Sequence, residues 1–179
     1  VKFKTDKPID YLVINGAECE PYITSDTVTM LTKADMMAYA IETLVKYFNI
    51  KKVVIGEGVT SIGDYAFANC PQLTEVDMAD SLTSIGYRAF INCTGLEEIE
   101  IPENVQNIYE NAFHFCTALE TVTFLKDDKG ETCPYIREYA FAGNKNLKDI
   151  NLEEVDLIGK CAFLNCEKLT KADITKVYA

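Results

Sequence analysis

The sequence predicts an α/β solenoid: about five repeats of 22–28 residues with short parallel strands, capped at the N-terminal end by a strand–helix unit. Two observations predict it. Ala-Phe pairs recur at 66–67, 89–90, 112–113, 140–141 and 162–163, spaced by 23, 23, 28 and 22 residues, and a near-fixed period of this size marks stacked repeats. Residues 1–50 carry no such repeat but hold one strand-like run and one amphipathic stretch. The expected organisation is therefore a cap over 1–50 and repeats over 51–179.

In chain order, the apolar run over 10–15 (DYLVIN) reads as a strand, followed by the acidic turn of "NGAECEPYITSD". Thr32 can cap a helix, with Asp35 at the capping-box position. Leu31, Ala34, Ala38, Ile41, Leu44, Val45 and Phe48 then fall on one helical stripe. A solenoid exposes apolar side chains at its first coil and needs a cover, so this stripe is expected to pack against Val53, Ile55 and Ile62.

The repeat consensus is I-G-x-x-A-F-x-x-C-x-x-L-x-x-[V/I]-x-apolar, kept without the Gly in the third copy, with Asn144 at the cysteine place of the fourth copy and Ala172 a weaker apolar residue in the fifth. The tail alternates with period two, which is a strand with one face inward. The I-G-x-x-A-F-x-x-C block suits a short helical turn. One repeat cannot bury its own apolar side, so copies stack, placing Leu73, Val76 and Met78 over Leu96, Ile99 and Ile101, with Val53 and Ile55 as an earlier strand. The same alternation turns outward Lys52 and Val54, Glu75 and Asp77, Glu98 and Glu100, Thr121 and Thr123, Asp149 and Asn151, and Lys171 and Asp173. The fourth repeat is lengthened by the loop over 126–134.

Composition excludes several functions. The chain has 28 acidic against 17 basic residues and a net charge of −11, which speaks against nucleic acid or anionic lipid, since both are bound by Lys/Arg neutralisation. No apolar run approaches the ~20 residues of a membrane-spanning helix. Of seven cysteines, Cys70, Cys93, Cys116 and Cys166 occupy one repeat position and read as a buried packing ladder. With one histidine and no CxxC spacing, neither a metal site nor a catalytic Cys/His or Ser/His pair is expected.

The "IGxxAFxxC" block over about 52–179 resembles the BspA-type leucine-rich repeats, which implies a leucine-rich-repeat solenoid, a binding or adhesion role, no catalytic residues and a place at the cell surface. The absence of a signal peptide and the free cysteines point instead to a reducing interior. A second resemblance covers about 1–56. There, "DYLVINGAECEPYITSD" followed by a helix and "KKVVIG" is similar to the C subunit of the Rnf electron-transport complex and to the flavin-binding subunit of respiratory complex I. It implies an FMN/NADH-linked role with Asn15, Glu18 and Glu20 as the matching residues. The glycine-rich loop that cradles the flavin phosphate has no counterpart before this strand, so no cofactor is expected.

The functional expectation is a non-catalytic interaction module. Its candidate partner face is Glu75, Asp77, Glu98, Glu100, Thr121, Thr123, Asp149 and Asn151, facing a protein or surface ligand of basic character. The C-terminal end, with nothing comparable to the N-terminal helix after it, is expected to be open to self-association.

Overall fold

The computed structural model describes residues 11–14, 23–24, 27–28, 43–126, 134–152 and 155–170. Their strands are β1 (Tyr11–Ile14), β2 (Ile23–Thr24), β3 (Thr27–Val28), β4 (Lys52–Ile55), β5 (Ser61–Ile62), β6 (Glu75–Met78), β7 (Ser84–Ile85), β8 (Glu98–Ile101), β9 (Asn107–Ile108), β10 (Thr121–Phe124), β11 (Tyr135–Ile136), β12 (Asp149–Ile150) and β13 (Leu157–Ile158). Residues 43–47 are helical. The expected solenoid is present. Its coils contribute strands to a longer sheet face and two-residue strands to a second sheet, ordered β13-β11-β9-β7-β5 and wholly parallel.

The face built from the alternating tails is divided. β4 pairs in parallel with β1 on one side and β6 on the other, while β8, β10 and β12 form a separate three-stranded sheet. The repeat register carries Leu73, Val76 and Met78 directly into Leu96, Ile99 and Ile101. The interior stacking holds, but among the described residues no strand hydrogen bonds join β6 to β8. Two local features account for this. Pro102 stands where Ala79 and Leu125 donate their N–H to Ile55 and Ile101, and proline has none to give. The side chains that would face one another are all acidic: Glu75 and Asp77 against Glu98 and Glu100, and like charges directly opposite weaken a strand pair.

Between the two sheets lies one core. The rings of Phe67, Phe90, Phe113, Phe141 and Phe163 stack nearly parallel, with centroids 4.9, 5.0, 5.1 and 5.6 Å apart. That spacing is at or slightly above the strand repeat of a parallel sheet. Each fully buried Phe contributes about 1.5–3 kcal/mol relative to exposure. Val45 and Ile50, on and just after the helix, are buried in the same cluster as Val53, Ile55 and Ile62, with Phe48 packed against it. Of the apolar stripe, Val45 and Phe48 thus join the core within the described residues. The expected helix start at Thr32 and Asp35 lies outside the described residues.

The segment read as a short helical turn is instead a chain of tight turns. Two residues in every copy sit at positive φ: Tyr65, Arg88, Asn111, Tyr139 and Cys161 just before Ala-Phe, and Asn69, Asn92, Phe115, Gly143 and Asn165 just before the cysteine place. A left-handed residue every fourth position cannot continue a right-handed helix. The 3.6-residue spacing of Ile, Ala and Phe imitates a helix because one short i→i+3 turn also returns those side chains to the interior.

Candidate interaction face

The outward face starts at β4. Lys52 reaches across to β6 and pairs with both Glu75, at 2.5 Å, and Asp77, at 2.7 Å. Hydrogen bonds to Asp77 and then Glu75 hold the Lys52 ammonium above its ordinary pKa. No ion pair reaches Glu98 or Glu100 on β8 among the described residues, and both are exposed. β10 brings Thr121 and Thr123, half-buried, beside them in register, and Asp149 follows on β12.

Seven of the eight candidate face residues therefore lie on neighbouring strands in the predicted order, parted at the β6/β8 seam. Asn151 differs. Its amide is occupied, accepting from the N–H of Phe124 and donating to the carbonyl of Phe124, both at 2.8 Å. It extends the β10–β12 pairing past Ile150 where the regular strand stops. Beside this face, Lys148 pairs with Glu120 at 2.7 Å and holds that carboxylate below its usual range. Lys171 and Asp173, like Asn15, Glu18, Glu20 and the loop residues 127–133, lie outside the described residues.

The cysteine ladder is a packing element. Cys93, Cys116 and Cys166 each donate the thiol to a phenylalanine carbonyl one repeat earlier: Phe67 at 3.0 Å, Phe90 at 3.1 Å and Phe141 at 3.2 Å. Burial pushes the Cys116 thiol up to about 12 and Cys166 to about 11, so both are neutral thiols near pH 7. Asn144 stands in this row fully buried, with both amide atoms unpaired. Among the described residues no group of three or more His, Cys, Asp or Glu is placed to hold a metal ion, and no helix is long and apolar enough to cross a membrane.

Sequence reasoning missed an aromatic–arginine cluster on the turn side. The Arg88 guanidinium lies 4.9 Å from the Tyr87 ring and 5.9 Å from that of Tyr65. It also missed the exposure of Phe115 and Leu164. For Phe115 the available signal was a departure from the consensus, a bulky side chain at a place where the other copies carry Asn or Gly; the Leu164 place, which carries Ala68, Ile91, His114 and Ala142 elsewhere, offered no such signal.

Parallel short strands, one shared Phe stack and a turn-built second side define a leucine-rich-repeat solenoid. The matching family model describes a BspA type leucine rich repeat region in six copies, matched over residues 42–170, and the chain belongs to that family. Among solved structures, a leucine-rich repeat protein from Bacteroides ovatus aligns over 94% of this chain and 49% of its own, at 23% identity and TM-score 0.52. The T. pallidum leucine rich repeat protein aligns over 70% of this chain and 66% of its own, at 23% identity and TM-score 0.51. A second family model, the Nuo51 FMN-binding domain, matches residues 1–65. Over 51 residues the chain is 39% identical to the C subunit of the proton-translocating ferredoxin:NAD(+) oxidoreductase complex of Clostridium ljungdahlii, covering 28% of this chain and 11% of that protein. Over 48 residues it is 46% identical to the C subunit of the ion-translocating oxidoreductase complex of Pectobacterium atrosepticum, covering 27% of this chain and 7% of that one. The two family matches overlap over 42–65, the stretch that contains β4, which pairs with a strand of each part.

Proposed function

We propose that the chain is a non-catalytic interaction module whose strand face takes a basic segment of a partner protein or surface ligand. The observation that carries this reading is the charge imbalance across the seam: Lys52 pairs with Glu75 and Asp77, while among the described residues no ion pair reaches Glu98 or Glu100. Exposed carboxylates in register along parallel strands suit an extended Lys/Arg-rich segment. Each exposed pair contributes only about 0.2–1 kcal/mol, so affinity would come from several acting together and would fall with salt. The test is titration of a lysine- and arginine-rich peptide into the intact chain and into a variant carrying Glu98→Lys and Glu100→Lys. Binding lost in the variant and weakened by salt supports the reading. Equal binding to both proteins overturns it. A place at the cell surface is the localisation that membership of the BspA-type family favours.

A second reading is an FMN- or NADH-linked electron-transfer fragment, favoured by the Nuo51 and oxidoreductase-complex matches at the N-terminal end. Asn15, Glu18 and Glu20 would be its cofactor-facing residues. Flavin released on denaturing the purified chain would support it, and a colourless protein that does not take up added FMN would sink it.

A further inference from the structure

The coils are hydrogen-bonded to one another with a fixed polarity. On the turn side, the N–H groups of Tyr65, Phe67 and Asn69 donate forward to the carbonyls of Tyr87, Ala89 and Ile91, at 3.0, 2.8 and 2.7 Å. The triplets beginning at Arg88, Asn111 and Tyr139 do the same to the coil that follows each. On the side of the two-residue strands the direction is reversed. The carbonyls of Thr60 and Ile62 accept from Thr83 and Gly86, and those of Pro134 and Ile136 accept from Asp156 and Gly159.

At the fifth repeat both rows stop. Among the described residues, the N–H groups of Cys161, Phe163 and Asn165 meet no backbone carbonyl, and the carbonyls of Asp156 and Ile158 receive no backbone N–H. One end face thus carries a row of donors beside a row of acceptors. The apolar residues there are also uncovered relative to their counterparts one repeat earlier. Ile136 and Phe141 are fully buried, whereas Ile158 and Phe163 are half-buried, and Leu164 is 47% exposed where Ala142 is 1%. The charged side chains over 156–168 balance, with Asp156 and Glu167 against Lys160 and Lys168, on a chain whose net charge is −11.

We propose that this end face pairs two copies of the chain across a two-fold axis. A two-fold contact requires a patch complementary to itself, in which residue i meets j and j meets i. Donors and acceptors on one face meet that requirement. In a single antiparallel register, the N–H of Cys161 donates to the carbonyl of the partner's Ile158, and the N–H of Phe163 to the carbonyl of the partner's Asp156, with both bonds repeated by symmetry. In that register Phe163 and Leu164 lie over the partner's Asp156 and Val155, and the balanced charges remove the repulsion that two strongly acidic chains meet elsewhere. A head-to-tail chain of copies is disfavoured because the other end of the solenoid is already covered, with Ala66, Phe67 and Ala68 buried.

The test is sedimentation of the intact chain across the micromolar range, together with amide hydrogen exchange at low and high concentration. The expected result is a dimer, with exchange at Cys161, Phe163 and Asn165 slowing as it forms. Leu164→Glu sets a carboxylate against the partner's Val155 and beside the partner's Asp156, and should weaken association about tenfold or more, while the thermal melt of its monomer is unchanged. Tyr65→Glu, at the far end of the solenoid, should dimerise as the parent does. A monomer at all concentrations overturns the proposal, as do a series of higher oligomers or a dimer indifferent to Leu164→Glu. Full protection of the three amides in the dilute monomer also overturns it, since the face would then be covered from within the chain.

Discussion

The ring of Phe115 lies where a Cβ atom on Gly143 would have to sit. Gly143 is at the turn place that Asn69, Asn92 and Asn165 fill in other copies, with φ +77°, and Phe115 is the same place one repeat earlier, with φ +59°. A bulky residue in the left-handed region leans on the one neighbour that has no side chain. Gly143→Ala should therefore destabilise the fold by about 1–2 kcal/mol from backbone conformation alone, and more from the overlap. Replacing Phe115 by Asn in that background should recover the overlap part but not the backbone part. Urea midpoints of the two single variants and the double variant check this. Equal losses with and without Phe115 would mean that the ring does not constrain residue 143.

Asn144 is the weak point of the cysteine row. Cys93, Cys116 and Cys166 each satisfy a carbonyl of the preceding coil, while the Asn144 amide is buried and unpaired. An unsatisfied buried polar group costs about 1–3 kcal/mol. Asn144→Cys restores the repeat chemistry and should raise stability by about 1–2 kcal/mol. A higher denaturant midpoint with unchanged slope confirms it, and a lower midpoint means that the amide has a partner in solution.

The buried thiols make the fold sensitive to alkali. Desolvation first, then the neighbouring Cys116 and Cys70, keep Cys93 protonated well above the ordinary thiol value, and burial lifts Cys116 to about 12. An unfolded chain loses these protons near pH 9, so between about 9 and 12 the unfolded state binds fewer protons than the folded one and stability falls as pH rises. Melting temperature should decline over that window and decline less in Cys116→Ala after correction for its cavity. Below pH 9 the same thiols should resist a disulfide reagent until the protein is unfolded.

His114 acts in the opposite pH direction. Burial, with Arg88 as a lesser cause, lowers its pKa against a raising contribution from the backbone of Tyr139. Its ring stands edge-on to Phe115, with centroids 4.1 Å apart. Above about 6.5 both folded and unfolded chains hold a neutral imidazole. As pH falls below that value the unfolded chain takes up a proton that the folded one resists, so stability drops until the lowered folded pKa is passed. His114→Gln should flatten that part of the melting profile. An unchanged profile would assign the acid sensitivity to carboxylates.

Much of this architecture is legible in the residues themselves. The 22–28-residue period set the number of coils, the period-two tail set which side chains of β4, β6, β8 and β10 face outward, and the Phe place set the stacked spine. These follow from a local rule, because a repeat that alternates apolar and polar residues has one way to bury its apolar side. The outward placement of the strand residues was legible for the same reason, residue by residue, except at Asn151, whose amide the neighbouring backbone at Phe124 has taken. Tertiary structure decided the rest, where the outcome depends on the copy next door. The turn place tolerates Asn, Gly or Phe, and only the stacked neighbour makes Phe115 require Gly143. The β6/β8 seam opens because Pro102 lacks a donor and four carboxylates meet across it, which no single repeat reveals. Among the described residues, the rows at Asp156, Ile158, Cys161, Phe163 and Asn165 find no backbone partner, because the hydrogen bonds between coils run in one direction from each coil to the next.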